Sequence, residues 1–441
     1  MRLLLKRITS SEIFKKTLQV SILAALIKLI TFLKDILVIR YFPFGKELDS
    51  FFIALVVPQF ILSVFISSIN SIIIPNYIRE KEKDPHNLGS FTYTAMCINF
   101  LIGLALSLIC IIYFKDIISI FSYHSDTGKV DDLIKNHFYY LFPTVLFSTI
   151  SDSIRALLNS RNKYMVTSLT PLYPVAFTII CLYFFLPYFG IYALSIGFTI
   201  GYFFELITMI IVFKLEKFPF CLVFRFTKSI KLLINQAFHK TSASLFTAIV
   251  PVVNQIFAVR QAAGSVSLIT YAQKVPLFIN VVLTMSIGVT ILPYFSNKVL
   301  SPIPYKPKEY YSIISLLFFG SALVCSVLFL LSGLIVKLLF LRGKVNVHEI
   351  TIINQLQKIY FSQIPFYLVA IVAVKLLTAL NKNNHTLYGS IVLLLLIFTL
   401  NYIFEKPYGI YGIAMATVGA MIFTMIINLW FSIIDLKKAY E

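Results

Sequence analysis

The sequence predicts an all-α polytopic membrane protein. About twelve transmembrane helices form two six-helix lobes, related by a pseudo-two-fold axis along the membrane normal. Three observations carry that reading. Of 441 residues, 59% are hydrophobic and 15% aromatic, and the mean hydropathy is +0.86; a soluble domain is roughly 45–50% apolar. The apolar residues fall into segments long enough to cross a bilayer. Motifs of the first half also return in the second at a nearly constant offset.

Taken in order, the segments lie at about 13–42, 50–77, 89–114, 133–159, 164–186, 190–214, 232–260, 266–296, 309–341, 350–379, 386–404 and 409–434. Several exceed the roughly 20 residues a span needs, so they tilt, bend or protrude. Pro58, Pro143, Pro171, Pro174, Pro276 and Pro365 are the expected bends. Residues 1–16 read as a basic cytoplasmic or interfacial segment, with Thr9 and Glu12 at capping-box spacing. This start has the basic-then-apolar character of a signal peptide. Lys28 and Lys34 interrupt the run and no small-x-small site follows, so retention is the expectation. The domain division is then an N-lobe at 17–214, a basic linker at 215–231, a C-lobe at 232–436 and a tail at 437–441.

The net charge of +19 raises nucleic acid as a partner. Its distribution argues against that, because the basic residues cluster in short connections between apolar segments, as cytoplasmic loops do. With the N-terminus inside, the cytoplasmic connections hold 21 Lys and Arg and the opposite ones seven. That bias places both termini in the cytoplasm. No connection exceeds about twenty residues, which leaves no room for a soluble catalytic domain. The five cysteines, Cys97, Cys110, Cys181, Cys221 and Cys325, have no metal-ligand spacing, and neither disulfide, metal nor cofactor is expected.

The repeat is the most informative pattern. Ala54-x-x-Val57-Pro58-x-Phe60 recurs as Ala272-x-x-Val275-Pro276-x-Phe278, an offset of 218, and Pro75 and Pro293 follow at the same offset. Pro143 with Leu158-Asn159 matches Pro365 with Leu380-Asn381 at 222, and Gly190-Ile191-Tyr192 matches Gly409-Ile410-Tyr411 at 219. An even number of spans per copy gives both copies the same orientation. Two like lobes around a cavity are a transporter architecture, opening alternately as one lobe rocks against the other.

Charge inside the spans marks the candidate site. Lys28, Lys34, Asp35 and Arg40 share the segment 27–42. A charge at the bilayer centre costs roughly 2.5–3.5 kcal/mol on insertion scales, so each needs a partner, water or a substrate. At about 100° per residue, Lys28 and Asp35 share a face and Lys34 lies about 120° away. Lys34 and Arg40 either point inward or extend to the membrane surface. Lys274, beside Pro276 and deep in the eighth segment, is expected to face a cavity. Asp152 and Arg155 have the spacing of a pair on one helix face. Glu205 reads as more isolated: an ion or proton site, or an interhelical hydrogen bond. Lys375 and His239-Lys240 lie near the inner surface. Asn70, Asn254, Gln255, Asn280 and Gln363 are sugar-hydroxyl contacts or interhelical glue.

Lys34-Asp35-Ile36-Leu37 through Arg40-Tyr41-Phe42, then Asp49-Ser50-Phe51-Phe52-Ile53-Ala54 and Pro58, resembles the start of the MviN/MurJ-type lipid II flippases. These belong to the multidrug/oligosaccharidyl-lipid/polysaccharide exporter superfamily, with Wzx-like polysaccharide flippases as close relatives. Gly264-Ser265-Val266-Ser267 through Tyr271-Ala272-Gln273-Lys274 to Ile291-Leu292-Pro293 is similar too, as is the stretch from Leu338 through Gly343 and Asn381 to Gly409-Ile410. The resemblance implies transfer of an undecaprenyl-diphosphate-linked saccharide from the cytoplasmic to the periplasmic leaflet of the bacterial inner membrane; the partners expected are that glycan and the phospholipid bilayer, and the oligomeric state is open, with a monomer favoured. It implies that Lys28, Lys34 and Lys274 take the places of cavity arginines, and that Asp35 and Asp49 match family aspartates. The family's basic pair in helix 2 has no counterpart in Leu62–Asn70, and two further family helices are not represented.

Arg grips phosphate with a planar fork, whereas Lys offers a compact point charge. The replacements therefore keep charge and change geometry, which shifts weight toward a polysaccharide repeat unit over lipid II and leaves both open. Coupling to the membrane potential or to an ion is also open. A multidrug or cation extruder of the same superfamily would want internal carboxylates, and here internal cations outnumber them. A membrane polysaccharide polymerase or ligase would want a large outer loop and positioned catalytic groups. The expectation is a transporter and not an enzyme, its site built on Lys28, Lys34 and Lys274 with Asp35, Asp49 and Arg40 in support.

Overall fold

Long apolar runs with few breakers fold as helices, because in hydrocarbon each backbone N–H and C=O must find its partner within the segment. The computed structural model describes residues 12–121, 129–299, 307–341 and 345–438, and no strand occurs among them. Its helices are α1 (Glu12–Tyr41), α2 (Lys46–Lys83), α3 (Leu88–Ile112), α4 (Phe114–Ile120), α5 (Lys129–Leu141) and α6 (Pro143–Ser160). They continue with α7 (Tyr164–Leu169), α8 (Leu172–Phe184), α9 (Leu186–Phe189), α10 (Tyr192–Leu215), α11 (Lys228–Val259) and α12 (Ser265–Val299). The last are α13 (Pro307–Phe340), α14 (Val347–Phe361), α15 (Ile364–Ala379), α16 (Asn383–Tyr408) and α17 (Ile410–Lys438).

Ten stretches among the described residues are long and apolar enough to span a membrane, and Leu245–Val259 of α11 is a shorter apolar one. With α1, these correspond to the twelve expected segments. The protein is thus an all-α, multi-pass membrane protein.

Proline shapes the spans in two ways. Pro58 and Pro276 sit inside α2 and α12, as expected of bend positions. Pro143 and Pro365 instead occupy the first turns of α6 and α15, where a missing N–H costs nothing, so the fourth and tenth spans are each two helices in series. Pro171 likewise stands just ahead of α8 and Pro174 lies in its first turn. These are helix starts more than bends.

The repeat is visible in the backbone. Gly190 has φ 53°, ψ −132° and Gly409 φ 54°, ψ −131°, a left-handed turn that favours glycine in both copies. Asn162 and Asn381 are both at positive φ. Each ends its helix with the same turn: Lys163 N–H donates to Leu158 O at 3.1 Å, and Lys382 N–H donates to Leu377 O at 2.9 Å. Structurally, then, Leu158 answers to Leu377 and not to Leu380. The 222-residue offset holds at the proline and falls to 219 by the helix end, because the second copy is three residues shorter between them. The sequence match Leu158-Asn159 to Leu380-Asn381 was out of register.

Contacts divide the chain into two compact units. One comprises 33–38 and 45–264. In it α2 packs on α3, α5, α6 and α11, and α10 on α6 and α8. Ile72, Ile73, Tyr77, Phe91, Leu157, Met209 and Phe213 are part of its core. Helices α8 and α10 approach closely along Gly197-x-x-x-Gly201, where a Cβ on Gly201 would lie 2.3 Å from the Pro174 Cα. The other unit comprises 1–32, 39–44 and 265–441. There α15 packs on α12, α13 and α17, around Phe295, Tyr310, Val372, Leu376 and Leu436. The repeat and the packing units are different divisions: α11 opens the second copy, yet it packs on α2.

Candidate functional site

In the first unit, the Lys34 Nζ pairs with the Asp35 Oδ1 at 2.8 Å, with side chains 15% and 5% exposed. Neighbours on a helix do not face each other, but the four-carbon stem of lysine lets its ammonium fold back to the carboxylate. Helical angle put Asp35 on the face of Lys28; the adjacent Lys34 also pairs with it. Lys28 is exposed, as are Leu26, Leu29 and Ile30 beside it. Arg40 is exposed in the last turn of α1, where a cation complements the helix dipole.

Asp49 is wholly buried in the first turn of α2, and its Oδ2 accepts the Gly264 N–H at 2.6 Å. Gly264 is at φ 94°, a conformation that suits glycine. This carboxylate therefore anchors the turn that leads into α12. The anchor joins positions 215 apart in the chain and was not foreseen from the sequence.

Lys274 of the second unit is half-buried, with its Nζ 6.0 Å from the centroid of the Tyr271 ring one turn before it. A cation within about 6 Å of an aromatic face is stabilised by the ring quadrupole. Tyr271 is fully buried and is held edge-on by Phe44 at 5.5 Å and Phe340 at 6.1 Å. The result is a lysine beside a fixed aromatic ring.

Glu205 is not isolated. It is ion-paired with Arg155, which also binds Asp152, so α6 and α10 share one cation between two carboxylates. Thr170 Oγ1 lies 3.4 Å from the same guanidinium. Asp152 and Glu205 are 1% and 2% exposed. Asp152 Oδ2 and Arg155 Nε have no hydrogen-bond partner among the described residues. The local rule found Asp152 with Arg155; only their common need for compensation in an apolar span could have pointed to Glu205, fifty residues on.

Among the remaining candidates, Asn254, Asn280 and Gln363 are buried, and Lys375 is half-buried. The side chains of Asn70, His239 and Lys240 lie outside the described residues. Among those described, no three His, Cys, Asp or Glu side chains converge as metal ligands would, and the five cysteines are unbridged.

Ten apolar spans among the described residues and proline-interrupted helices define a multi-pass membrane protein. Its fold is shared with solved structures. One, described as the lipid II flippase MurJ in an inward closed conformation, has a TM-score of 0.81 at 23% identity, covering 96% of this chain and 90% of that one. An inward-facing multidrug resistance MATE transporter of the MOP superfamily has 0.75 at 12% identity, covering 95% and 99%. The chain belongs to the lipid II flippase MurJ family, whose model matches residues 38–439. It is 26% identical over 292 residues to the probable lipid II flippase MurJ of Buchnera aphidicola subsp. Schizaphis graminum (strain Sg), covering 65% of this chain and 57% of that protein. It is 31% identical over 185 residues to the lipid II flippase MurJ of Thermosipho africanus (strain TCF52B), covering 41% and 38%. The matches thus span between about two fifths and three fifths of these relatives' length.

Proposed function

We propose that this protein carries an undecaprenyl-diphosphate-linked saccharide from the cytoplasmic to the periplasmic leaflet of the bacterial inner membrane, with both termini in the cytoplasm. The observation that carries the proposal is the family match across 38–439, which includes Lys274. Lipid II is the cargo in the family's own description, and a surface-polysaccharide repeat unit is the second candidate on the strength of the lysines that stand where the resemblance expects arginines. The likeness to MATE transporters is one of fold, at 12% identity, and adds no support for drug or cation extrusion.

In this reading Lys28, Lys34 and Lys274 meet the diphosphate. Asp35 holds Lys34 until the anion arrives and takes over as its partner, so charge relief makes the loaded state differ in free energy from the empty one. A ligand shifts a conformational equilibrium only by such a difference. The cargo reaches the protein through the bilayer; the working unit is a monomer. Any coupling to the membrane potential or to an ion involves Glu205, the buried carboxylate that shares Arg155 with Asp152.

Complementation tests the proposal. Cells depleted of their lipid II flippase, and separately of a surface-polysaccharide flippase, are supplied with this chain, and growth or polymer export is scored. Rescue of the first identifies lipid II, and rescue of the second a repeat unit. Rescue of neither, with the protein present in the membrane, rejects the reading.

A further inference from the structure

Within the first unit, α2 and α11 face each other across a groove of about 380 Å³, within the size range of small-molecule sites. Its walls are one stripe from each helix. Gln59 and Ser63 of α2 are four residues apart, and Thr247, Pro251 and Gln255 of α11 repeat at the same spacing. Among the described residues, no Lys, Arg, Asp or Glu lines it. Two carboxamides and two hydroxyls therefore stand against an apolar remainder that includes Phe60. The Gln255 Oε1 has no hydrogen-bond partner among the described residues.

The lining selects among the parts of an amphiphilic cargo. A diphosphate would find no cation here to replace its water. An acyl or prenyl chain would strip water from the two carboxamides and offer nothing back, at about 1–3 kcal/mol for each group left unsatisfied. An uncharged sugar ring satisfies both walls. Its hydroxyls donate and accept as carboxamides do, and its C–H face packs on Phe60 and Pro251. We propose that this groove is a saccharide subsite, which takes a neutral sugar ring of the lipid-linked cargo while the diphosphate is held elsewhere. The inference rests on the flippase reading and adds to it where the glycan is recognised.

The experiment compares the binding of two lipids by native mass spectrometry of purified protein. One is undecaprenyl diphosphate, and the other is the same lipid carrying a single N-acetylhexosamine. Wild-type protein is expected to bind the glycosylated lipid about tenfold more tightly, the worth of one or two net hydrogen bonds. The Gln59→Leu/Gln255→Leu variant should lose that preference and keep its affinity for the bare lipid. Gln255→Leu alone, which removes the carboxamide whose Oε1 has no partner among the described residues, should reduce the preference by about fivefold, one hydrogen bond's worth. Equal binding of both lipids by the wild type, or an undiminished preference in both variants, overturns the subsite and leaves the flippase reading standing. Failure of the wild type to bind either lipid overturns both.

Discussion

Arg155 and Lys274 are cations at membrane depth, and the structure treats them in opposite ways. Arg155 is locked between Asp152 and Glu205, which are almost wholly buried. Lys274 is half-buried and rests on the Tyr271 ring. A buried charge whose partner is removed leaves its counterpart stranded, so the first arrangement is a fastener between α6 and α10. In the second, a half-buried ammonium lies beside an aromatic face. Lying in a membrane-spanning stretch therefore does not fix a cation's purpose: Arg155 is committed to two buried carboxylates, whereas Lys274 sits at an aromatic ring in a half-buried position.

Substitutions can break or sharpen this contrast. Arg155→Leu should be the most damaging to folding, about 3–5 kcal/mol, because two carboxylates then remain in an apolar interior; the yield and thermal unfolding of the detergent-solubilised protein measure it. Replacing Asp152, Arg155 and Glu205 together with apolar residues of similar size should recover most of that loss, and a triple variant as unstable as Arg155→Leu would show that the cluster does more than fasten. Asp49→Asn keeps an acceptor for the Gly264 N–H and removes the charge that strengthens the bond, so it should cost about 1 kcal/mol, read from the same unfolding curves. Lys274→Ala should cost about 1 kcal/mol of stability, the worth of a half-buried cation beside an aromatic ring. It should nevertheless abolish rescue in the complementation assay, while Lys274→Arg retains it. Full rescue by Lys274→Ala would erase the distinction drawn here.

How much of this was legible in the sequence depends on the distance over which each feature is encoded. Hydropathy marked the spans because a bilayer imposes it on every crossing segment. The repeat was readable at Gly190 and Gly409, since a left-handed turn admits few residues other than glycine. Its register was misjudged at Leu380, because Leu-Asn is a cheap match in an apolar chain and the turn at Asn162 and Asn381 depends on φ, which a residue name does not carry. The Arg155 cluster was half legible. Asp152 lies within one turn of Arg155, whereas Glu205 reaches it only through the packing of α10 on α6. Likewise, the pairing of Lys34 with Asp35 turned on the reach of a lysine stem, which helical angle does not encode.

The bond from Asp49 to Gly264 also sets an order of events during synthesis. A ribosome making this chain delivers the carboxylate early and its amide only 215 residues later. Through that interval the nascent protein lacks the bond between the head of its second helix and the turn before α12. Truncations ending before Gly264 are therefore expected to be recognised as unfinished and degraded more readily than those ending just after it.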